Sequence, residues 1–203
     1  MDSELRETLR YVARFFDGRK VGDVGALGFR RSSDLGLLVG CIDRLLQEKL
    51  IAPRKSRFLD LGCGDGRVNI LFSYIVRSSV GVELDSWTLE EYGPLRAALE
   101  YELQEADLTP PPENIHLFEG DSLDPLVHQE ITQDTGLTFK DFNLFYTYLI
   151  MHEEFAALIA ERAAKGSVFL VYGLDRIMPH YEGLLLRDDL SPLEGILGVY
   201  EKG

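Results

Sequence analysis

FLDLGCGDGRV, residues 58–68, is the stretch that decides the fold of this chain. A short apolar run with one acid, Asp60, leads into glycines at alternate positions, Gly62, Gly64 and Gly66. Apolar residues then recur with helical spacing, so the pattern predicts a buried strand, a tight turn and a helix. Glycine has no Cβ, so it adopts positive φ and lets a ligand approach the main chain. The first N–H groups of the helix lack intrahelical partners and suit a small polar ligand.

Predicted strands and helices alternate along most of the chain. Strands are expected at 57–61, 80–84, 115–118, 142–146 and 166–173, and helices at 66–76, 86–106, 122–133 and 152–164. Such alternation predicts a parallel sheet with helices on both faces, joined by right-handed crossovers. Two further strands, 181–187 and 195–201, have no helix between them and are expected to pair antiparallel. The predicted fold class is therefore α/β, a doubly wound and mostly parallel sheet with an antiparallel C-terminal hairpin.

Two amphipathic helices are predicted ahead of this sheet, at 3–17 and at about 34–50. We interpret residues 1–52 as a helical lead-in or lid that packs against a main domain of residues 53–203. The glycine-rich stretch 18–33 carries four basic residues, Arg19, Lys20, Arg30 and Arg31. This loop closes over a bound cofactor, as mobile glycine-rich loops do, or binds an anionic substrate, or is a solvated loop with no further role.

Several residues are expected to cap or interrupt the helices. Ser33 or Asp34 can cap the second helix, and Ser86 is the candidate cap of the helix at 86–106. Gly93-Pro94 inside that helix predicts a kink or a break into two pieces.

The chain carries 34 acidic and 21 basic residues among 203, a net charge of −13. Duplex nucleic acid is bound mainly through basic patches, so this balance disfavours a duplex partner. A cationic partner such as a lysine-rich segment fits the charge, or else the acids only keep the protein soluble. No apolar run approaches the ~20 residues of a membrane span, and the N-terminus lacks a signal-peptide core. We therefore expect a cytoplasmic protein without a membrane partner, and the oligomeric state is left open.

Neither metal nor thiol chemistry is expected. Cys41 and Cys63 form no metal or redox motif, and we interpret them as small apolar residues. The four histidines are scattered and lack the spacing of a zinc-binding helix. His152, which follows the fourth strand, is either a proton acceptor or simply the residue near the start of its helix.

Four polar features fall at the carboxyl ends of predicted strands, where ligands bind in open α/β sheets. The glycine turn follows the first strand, Glu83 ends the second, Asp121-Ser122 follows the third, and Tyr146 to Tyr148 end the fourth. A carboxylate at Glu83 can accept hydrogen bonds from both hydroxyls of a ribose, and it disfavours a 2′-phosphate. Asp121 is placed to accept from an exocyclic amino group such as that of adenine. Ser122 can support it or cap the next helix.

The glycine spacing separates two classes of adenosine-containing ligand. Dinucleotide folds use G-x-G-x-x-G, whereas residues 62–66 have the pattern G-x-G-x-G. This motif, with GVELD at 81–85 and EGDSLD at 119–124, resembles the class I S-adenosylmethionine-dependent methyltransferases over residues 56–173. The resemblance implies a seven-stranded sheet and S-adenosylmethionine as the cofactor.

The resemblance also implies a cofactor-binding set, made of the glycine turn and the residues at the strand ends. The set is Asp60, Gly62, Cys63, Gly64, Gly66, Glu83, Leu84, Asp121 and Ser122. Within it Asp60 and the turn would hold the amino-acid end of the cofactor, Glu83 the ribose, and Asp121 with Ser122 the adenine. By analogy with related lids, residues 31–33 could approach the cofactor carboxylate.

The fourth strand carries the features that bear on the methyl acceptor. DFNLFYTYLI, residues 141–150, lacks the Asn or Asp followed by two prolines and an aromatic that is typical of methyltransferases acting on adenine or glutamine. With the helix after it, this segment resembles the seven-stranded protein-lysine methyltransferases, which makes a protein lysine or another amine the first candidate acceptor. Tyr146 and Tyr148 are the candidate catalytic residues, lining the methyl channel and guiding an amine by cation–π contact. Alternatively, one of them faces the core.

Two other functions compete with this hypothesis. One is a non-catalytic module that binds S-adenosylmethionine as a sensor or scaffold, because no obvious catalytic base is present. The other is an NAD-binding oxidoreductase, which the shortened glycine spacing and the lack of a dehydrogenase catalytic set argue against.

Overall fold

The computed structural model describes residues 1–19 and 32–203, so Lys20, Arg30 and Arg31 of the predicted basic loop lie outside the described residues. The helices and strands, in chain order, are α1 (Ser3–Asp17), α2 (Leu35–Gln47), β1 (Arg57–Leu61), α3 (Arg67–Ser73), β2 (Ser78–Glu83), α4 (Ser86–Glu90), α5 (Tyr92–Glu105), β3 (Ile115–Glu119), α6 (Pro125–Thr135), β4 (Leu144–Tyr148), α7 (His152–Arg162), β5 (Val168–Tyr172), β6 (Leu184–Leu186) and β7 (Leu197–Lys202). From β1 to β5 they follow the predicted alternation.

One seven-stranded sheet runs through the centre in the order β3-β2-β1-β4-β5-β7-β6. Strands β1 to β5 are parallel to one another, whereas β7 pairs antiparallel with both β5 and β6. The strand order reverses between β1 and β4, which is the switch point where ligands bind in such sheets. The predicted α/β class and the seven-stranded sheet with an antiparallel C-terminal pair are confirmed.

Alternate side chains of the central strands enter two separate hydrophobic cores. In β1, Phe58 lies in the core shared with α1, α2 and α3, while Leu59 lies in the core shared with α6 and α7. Phe58 stacks on Phe72 of α3, with ring centroids 4.3 Å apart. Each fully buried side chain of this kind stabilises the fold by about 1.5–3 kcal/mol. Because side chains alternate along a strand, Asp60 shares the face of Phe58.

The two N-terminal helices pack on the first of these cores and are joined through one carboxylate. Asp17, the last residue of α1, accepts hydrogen bonds from the N–H groups of Leu35 at 2.8 Å and Gly36 at 3.0 Å. Asp34 is the N-cap of α2, so of the two predicted candidates Asp34 rather than Ser33 fills that role. The end of α1 and the start of α2 are therefore held together.

The predicted helix at 86–106 is divided, but at a different residue from the one expected. The break falls at Glu91, between α4 and α5, and not at Gly93-Pro94. Pro94 lies in the first turn of α5, where a helix needs no N–H donor, so its missing proton breaks no hydrogen bond. The predicted cap at Ser86 was also wrong, since Asp85 is the N-cap of α4.

The second and fourth strands are displaced by about two residues from their predicted positions. The second covers Ser78–Glu83 instead of 80–84, and the fourth covers Leu144–Tyr148 instead of 142–146. Tyr146 therefore lies in the middle of β4 rather than at its end.

Within residues 1–19 and 32–203, no helix has the length and apolar character needed to cross a membrane. The same part of the chain contains no cluster of three His, Cys, Asp or Glu side chains that could hold a metal ion.

Candidate functional site

The glycine turn after β1 adopts the backbone that its sequence predicts. Gly62, Gly64 and Gly66 have φ angles of 113°, 58° and 75°, a region that side chains with a Cβ rarely occupy. A Cβ at Gly66 would also lie 2.7 Å from the Tyr92 ring and 2.8 Å from Leu117. This turn can therefore be built only from glycine or with a considerable shift of its surroundings.

Glu83 holds the glycine turn against the end of β2. Its Oε2 accepts the N–H of Gly64 at 2.9 Å, and its Oε1 accepts the N–H of Asp85 at 2.9 Å. The N–H groups of Gly62 and Cys63 both donate to the carbonyl of Val82 at 2.9 Å. Glu83 thus shapes the main chain around the site.

Asp60 is a buried carboxyl group without a hydrogen-bond partner among the described residues. It is 1% exposed, and neither Oδ1 nor Oδ2 has a donor within reach. Burial raises the pKa of Asp60 well above the ordinary value, and repulsion from Glu83 and Asp65 adds to the shift. Buried polar groups are normally paired, so a carboxyl that the described residues leave without a donor is a candidate ligand-binding group at this turn.

Asp65, inside the same turn, is also buried but has a charged partner. Its carboxylate is 1% exposed and forms a buried ion pair with Arg67, whose Nη2 donates to Oδ2 at 2.8 Å and whose Nε donates to Oδ1 at 3.0 Å. The Arg67 guanidinium also reaches the carbonyl of Phe16 at 3.4 Å and lies 5.3 Å from the centroid of its ring. The pair therefore ties α1 to the glycine turn, a role that the sequence analysis missed.

Cys63 fills the space between the turn and β2. It is 5% exposed, and a Cβ at Gly81 would lie 2.7 Å from the Cys63 Cβ. Burial raises the pKa of the Cys63 thiol well above its ordinary value, and the nearby carboxylates raise it further. The neutral thiol is therefore a packing group here and not a nucleophile.

Tyr146 and Tyr148 lie on the same face of β4, because they are two residues apart. Tyr146 is 2% exposed and belongs to the core, which is the alternative that the sequence left open for one of the pair. Its hydroxyl lies 2.5 Å from Ser33 Oγ. Burial raises its pKa well above the ordinary value, so the phenol stays neutral. Tyr148 is only half-buried and packs on Tyr172, with ring centroids 5.6 Å apart.

Tyr172 provides a second attachment for the segment that leads into α2. Its hydroxyl accepts the N–H of Asp34 at 2.9 Å, next to the contact between Ser33 and Tyr146. Burial raises the pKa of Tyr172 to about 12, so this hydroxyl too is neutral. The strands β4 and β5 therefore fix residues 33 and 34 beside the glycine turn.

A cavity of about 60 Å³ lies where these groups meet. Among the described residues it is lined by Ser32, Ser33, Asp60, Gly62, Cys63, Gly64, Asp65, Arg67, Val68, Tyr146 and Tyr148. The cavity brings together the predicted turn, its acid and both predicted tyrosines.

The remaining predicted residues line the open carboxyl edge of the sheet outside this cavity. Leu84 is 71% exposed directly after Glu83. Asp121 is exposed, and its Oδ1 accepts the N–H of Leu123 at 2.8 Å. Ser122 is buried, with its carbonyl oxygen 2.8 Å from His128 Nε2. These residues border the ends of β2 and β3, on one side of the glycine turn.

His152 does not line the cavity. Its Nδ1 lies 2.6 Å from the hydroxyl of Tyr181, in the segment before β6. The His152 ring is therefore bound to Tyr181 at the start of α7. It is not among the residues that line the cavity, so the cavity does not support its predicted role as a proton acceptor.

No family model and no curated protein sequence matches the chain. Solved structures resemble it. The putative methyltransferase yhhF from Escherichia coli aligns with a TM-score of 0.53 at 13% identity, over 89% of this chain and 90% of its own. The tRNA methyltransferase TrmI from Aquifex aeolicus gives a TM-score of 0.50 at 11% identity, over 80% of this chain and 68% of its own. At such identities the likeness shows a shared fold alone, the α/β architecture described above.

Proposed function

We propose that the chain is an S-adenosylmethionine-dependent methyltransferase that modifies an amine, with a protein lysine as the first candidate. The observation that carries this proposal is the buried carboxyl of Asp60 beside the glycine turn, which has no hydrogen-bond partner in residues 1–19 and 32–203. An α-ammonium group would supply the positive charge and the N–H donors that Asp60 lacks. The amino-acid end of S-adenosylmethionine provides that group, whereas the pyrophosphate of NAD would bring negative charge towards a carboxyl.

The other predicted residues fit the rest of the same cofactor. Glu83, the last residue of β2, would accept the ribose hydroxyls, with the exposed Leu84 beside it. Asp121 and Ser122, at the end of β3, would border the adenine. The glycine turn leaves main chain open to the ligand, since a Cβ at Gly62 would meet nothing within 4 Å.

Bound S-adenosylmethionine supplies a methyl group on an electrophilic sulfonium, so the protein mainly has to orient the acceptor and exclude water. Tyr148 is the better candidate to contact an amine, because its ring is half-buried at the cavity. Tyr146 acts instead as a positioning residue, since its buried hydroxyl is bonded to Ser33. The phenol of Tyr146, whose pKa burial raises, keeps its own proton and so does not take one from the amine.

The net charge of the chain bears on which methyl acceptor it binds. A net charge of −13 favours a cationic amine over a polyanion. RNA is the competing acceptor, since TrmI from Aquifex aeolicus is a tRNA methyltransferase with a similar fold.

Calorimetry tests cofactor binding. We expect wild-type protein to bind S-adenosylmethionine and S-adenosylhomocysteine and not NAD. Glu83→Ala should bind them at least roughly tenfold more weakly, because a bond from a hydroxyl to a charged group contributes about 1.5–3 kcal/mol. Glu130→Ala, a change of an exposed glutamate on α6, is the matched control and should bind normally. Tight NAD binding, or no binding of either sulfur ligand, would refute the proposal.

Transfer of label tests catalysis and acceptor class. Cell lysate is incubated with the protein and S-adenosylmethionine labelled on the methyl group, then divided for protease or ribonuclease digestion. Label that protease alone releases supports a protein acceptor, and label that ribonuclease alone releases supports the RNA alternative. Cofactor binding without any transfer would favour the non-catalytic module.

A further inference from the structure

A second concave site lies on the outer side of α4 and α5, away from the cavity at the glycine turn. It is a groove of about 380 Å³, lined by Trp87, Glu90, Glu91, Pro94 and Leu95. None of these five residues lines the glycine-turn cavity. We call it the Trp87 groove.

Trp87 is the only tryptophan in the chain, and 79% of its surface is exposed. A large aromatic side chain left in solvent is unfavourable, and such residues are enriched where partners dock. Pro94 and Leu95 provide an apolar base beside the indole. The groove therefore offers an apolar contact surface, dominated by the indole, beside two glutamates.

The same groove keeps an uncompensated negative charge. Among residues 1–19 and 32–203, neither Glu90 nor Glu91 has an ion-pair partner within 4.0 Å. Arg96 is the only basic residue between Ser86 and Glu105, and it is bound to other groups. Its guanidinium lies 2.7 Å from Glu100 and 2.7 Å from Glu113.

We propose that the Trp87 groove binds a basic peptide segment of another protein. A lysine or arginine side chain would lie over the indole, where the face of the ring attracts a cation, with its charge near Glu90 and Glu91. The charge complementarity selects this partner over RNA, whose phosphates the two glutamates repel. The proposal stands on the groove alone and holds whether or not the chain transfers methyl groups.

The helices that carry the groove also support the glycine turn from behind. A Cβ at Gly64 would lie 3.9 Å from the Thr88 methyl group, and one at Gly66 would lie 2.7 Å from the Tyr92 ring. Thr88 and Tyr92 face the turn, while Trp87 and Glu91 face the groove. A segment docked there is thus separated from the turn by only α4 and the start of α5.

Fluorescence of Trp87 reports on the groove directly, because no other tryptophan contributes. Full-length protein is titrated at low ionic strength with a tetralysine peptide blocked at both ends. We expect a saturable blue shift as the indole leaves water. Glu90→Gln/Glu91→Gln should weaken binding roughly tenfold, since each charge contact close to the ring contributes a several-fold factor. The control Glu130→Gln/Glu161→Gln removes the same charge from exposed positions on α6 and α7 and should change binding less than about twofold.

Three results would overturn the proposal. One is the absence of a saturable shift with tetralysine while circular dichroism shows folded protein. Another is equal weakening in both double variants, which would mean that only overall charge attracts the peptide. The third is an equal or larger saturable shift with an oligouridylate of similar length, which would assign the groove to RNA. Calorimetry with S-adenosylhomocysteine on the same variants separates this outcome from a failure of the proposed cofactor site.

Discussion

Asp60 and Asp65 stand five residues apart around one glycine turn, and each is 1% exposed, yet their surroundings are opposite. Asp65 is paired with Arg67 through contacts of 2.8 and 3.0 Å. Asp60 has no partner among the described residues and a raised pKa. The Asp65 carboxylate holds the glycine turn to α1 through Arg67, and we propose that the Asp60 carboxylate binds the ligand.

The exposed fraction of an acid does not by itself indicate whether the acid stabilises the fold. Two acids with the same exposure differ in stability, because Arg67 compensates the charge of Asp65 whereas no described residue compensates that of Asp60. An uncompensated acid in a cleft is a candidate functional group, since the fold has no use for it. Loss of Asp65 should therefore damage the fold, and loss of Asp60 should damage binding only.

The largest expected effect is on stability, from Asp65→Asn. This change leaves the Arg67 guanidinium buried without a carboxylate, and breaking one partner of a buried pair typically costs about 3–5 kcal/mol. Denaturant unfolding measures the loss. The control Asp65→Leu/Arg67→Met removes both charges and should recover much of the stability. A loss below about 1 kcal/mol in the single variant would mean that the pair is not structural.

Asp60→Asn should change the free energy of unfolding in the opposite direction to Asp65→Asn. Replacing an unpaired buried carboxyl by a neutral amide should stabilise the ligand-free protein by roughly 1–3 kcal/mol at neutral pH. The same unfolding experiment detects it. Destabilisation of similar size to that of Asp65→Asn would erase the distinction between the two acids.

The pH dependence of this gain follows from the raised pKa of Asp60. The folded protein holds the carboxyl proton of Asp60 more tightly than the unfolded chain does, because the pKa is raised in the folded state. The protonated carboxyl therefore contributes its full stability below the ordinary pKa of 3.8. That stability is lost as the pH rises through the folded-state pKa. Asparagine does not titrate. We therefore expect the advantage of Asp60→Asn to shrink towards zero as the pH falls to about 4. A gain that is independent of pH would exclude titration of Asp60 as its cause.

The smallest expected effect comes from a polar group that does have a partner in the same cavity. Tyr146→Phe removes the hydroxyl that bonds to Ser33 and should cost about 0.5–1.5 kcal/mol. Ser33→Ala is the matched variant, and the two changes together should cost less than their sum, because they remove one shared bond. Additive losses in this double-mutant cycle would show that the two hydroxyls are not coupled.

The fold could be predicted because it depends on local patterns. The apolar run before Gly62 and the alternation of strands and helices specify the α/β class without any long-range information. The predicted strand boundaries were wrong where pairing with neighbouring strands determines the strand ends. Register with β1 and β5 sets the start of β4 at Leu144, and the chain before it forms a short turn at Phe139–Asp141.

The cavity could be predicted only in part. Motif spacing located the turn, Asp60 and Glu83, since these lie next to strand ends in the sequence. The roles of Asp65 and Arg67 depend on where α1 packs, and the contact of Arg67 with Phe16 spans 51 positions. The attachment of Ser33 to Tyr146 spans 113 positions. No local pattern signals such contacts, although two charged residues alternating with the last glycine, as in GDGR, could have suggested a buried pair.

Calorimetric titration of S-adenosylhomocysteine into wild-type protein and Asp60→Asn, from about pH 5.5 to 8, tests the central claim most directly. The account predicts that wild-type affinity rises with pH, as an ionised Asp60 becomes available to the ammonium group of the ligand. Asp60→Asn should bind at least about tenfold more weakly and show no such rise. Equal affinity of the two proteins across this range would contradict the claim that Asp60 is kept unpaired for the cofactor.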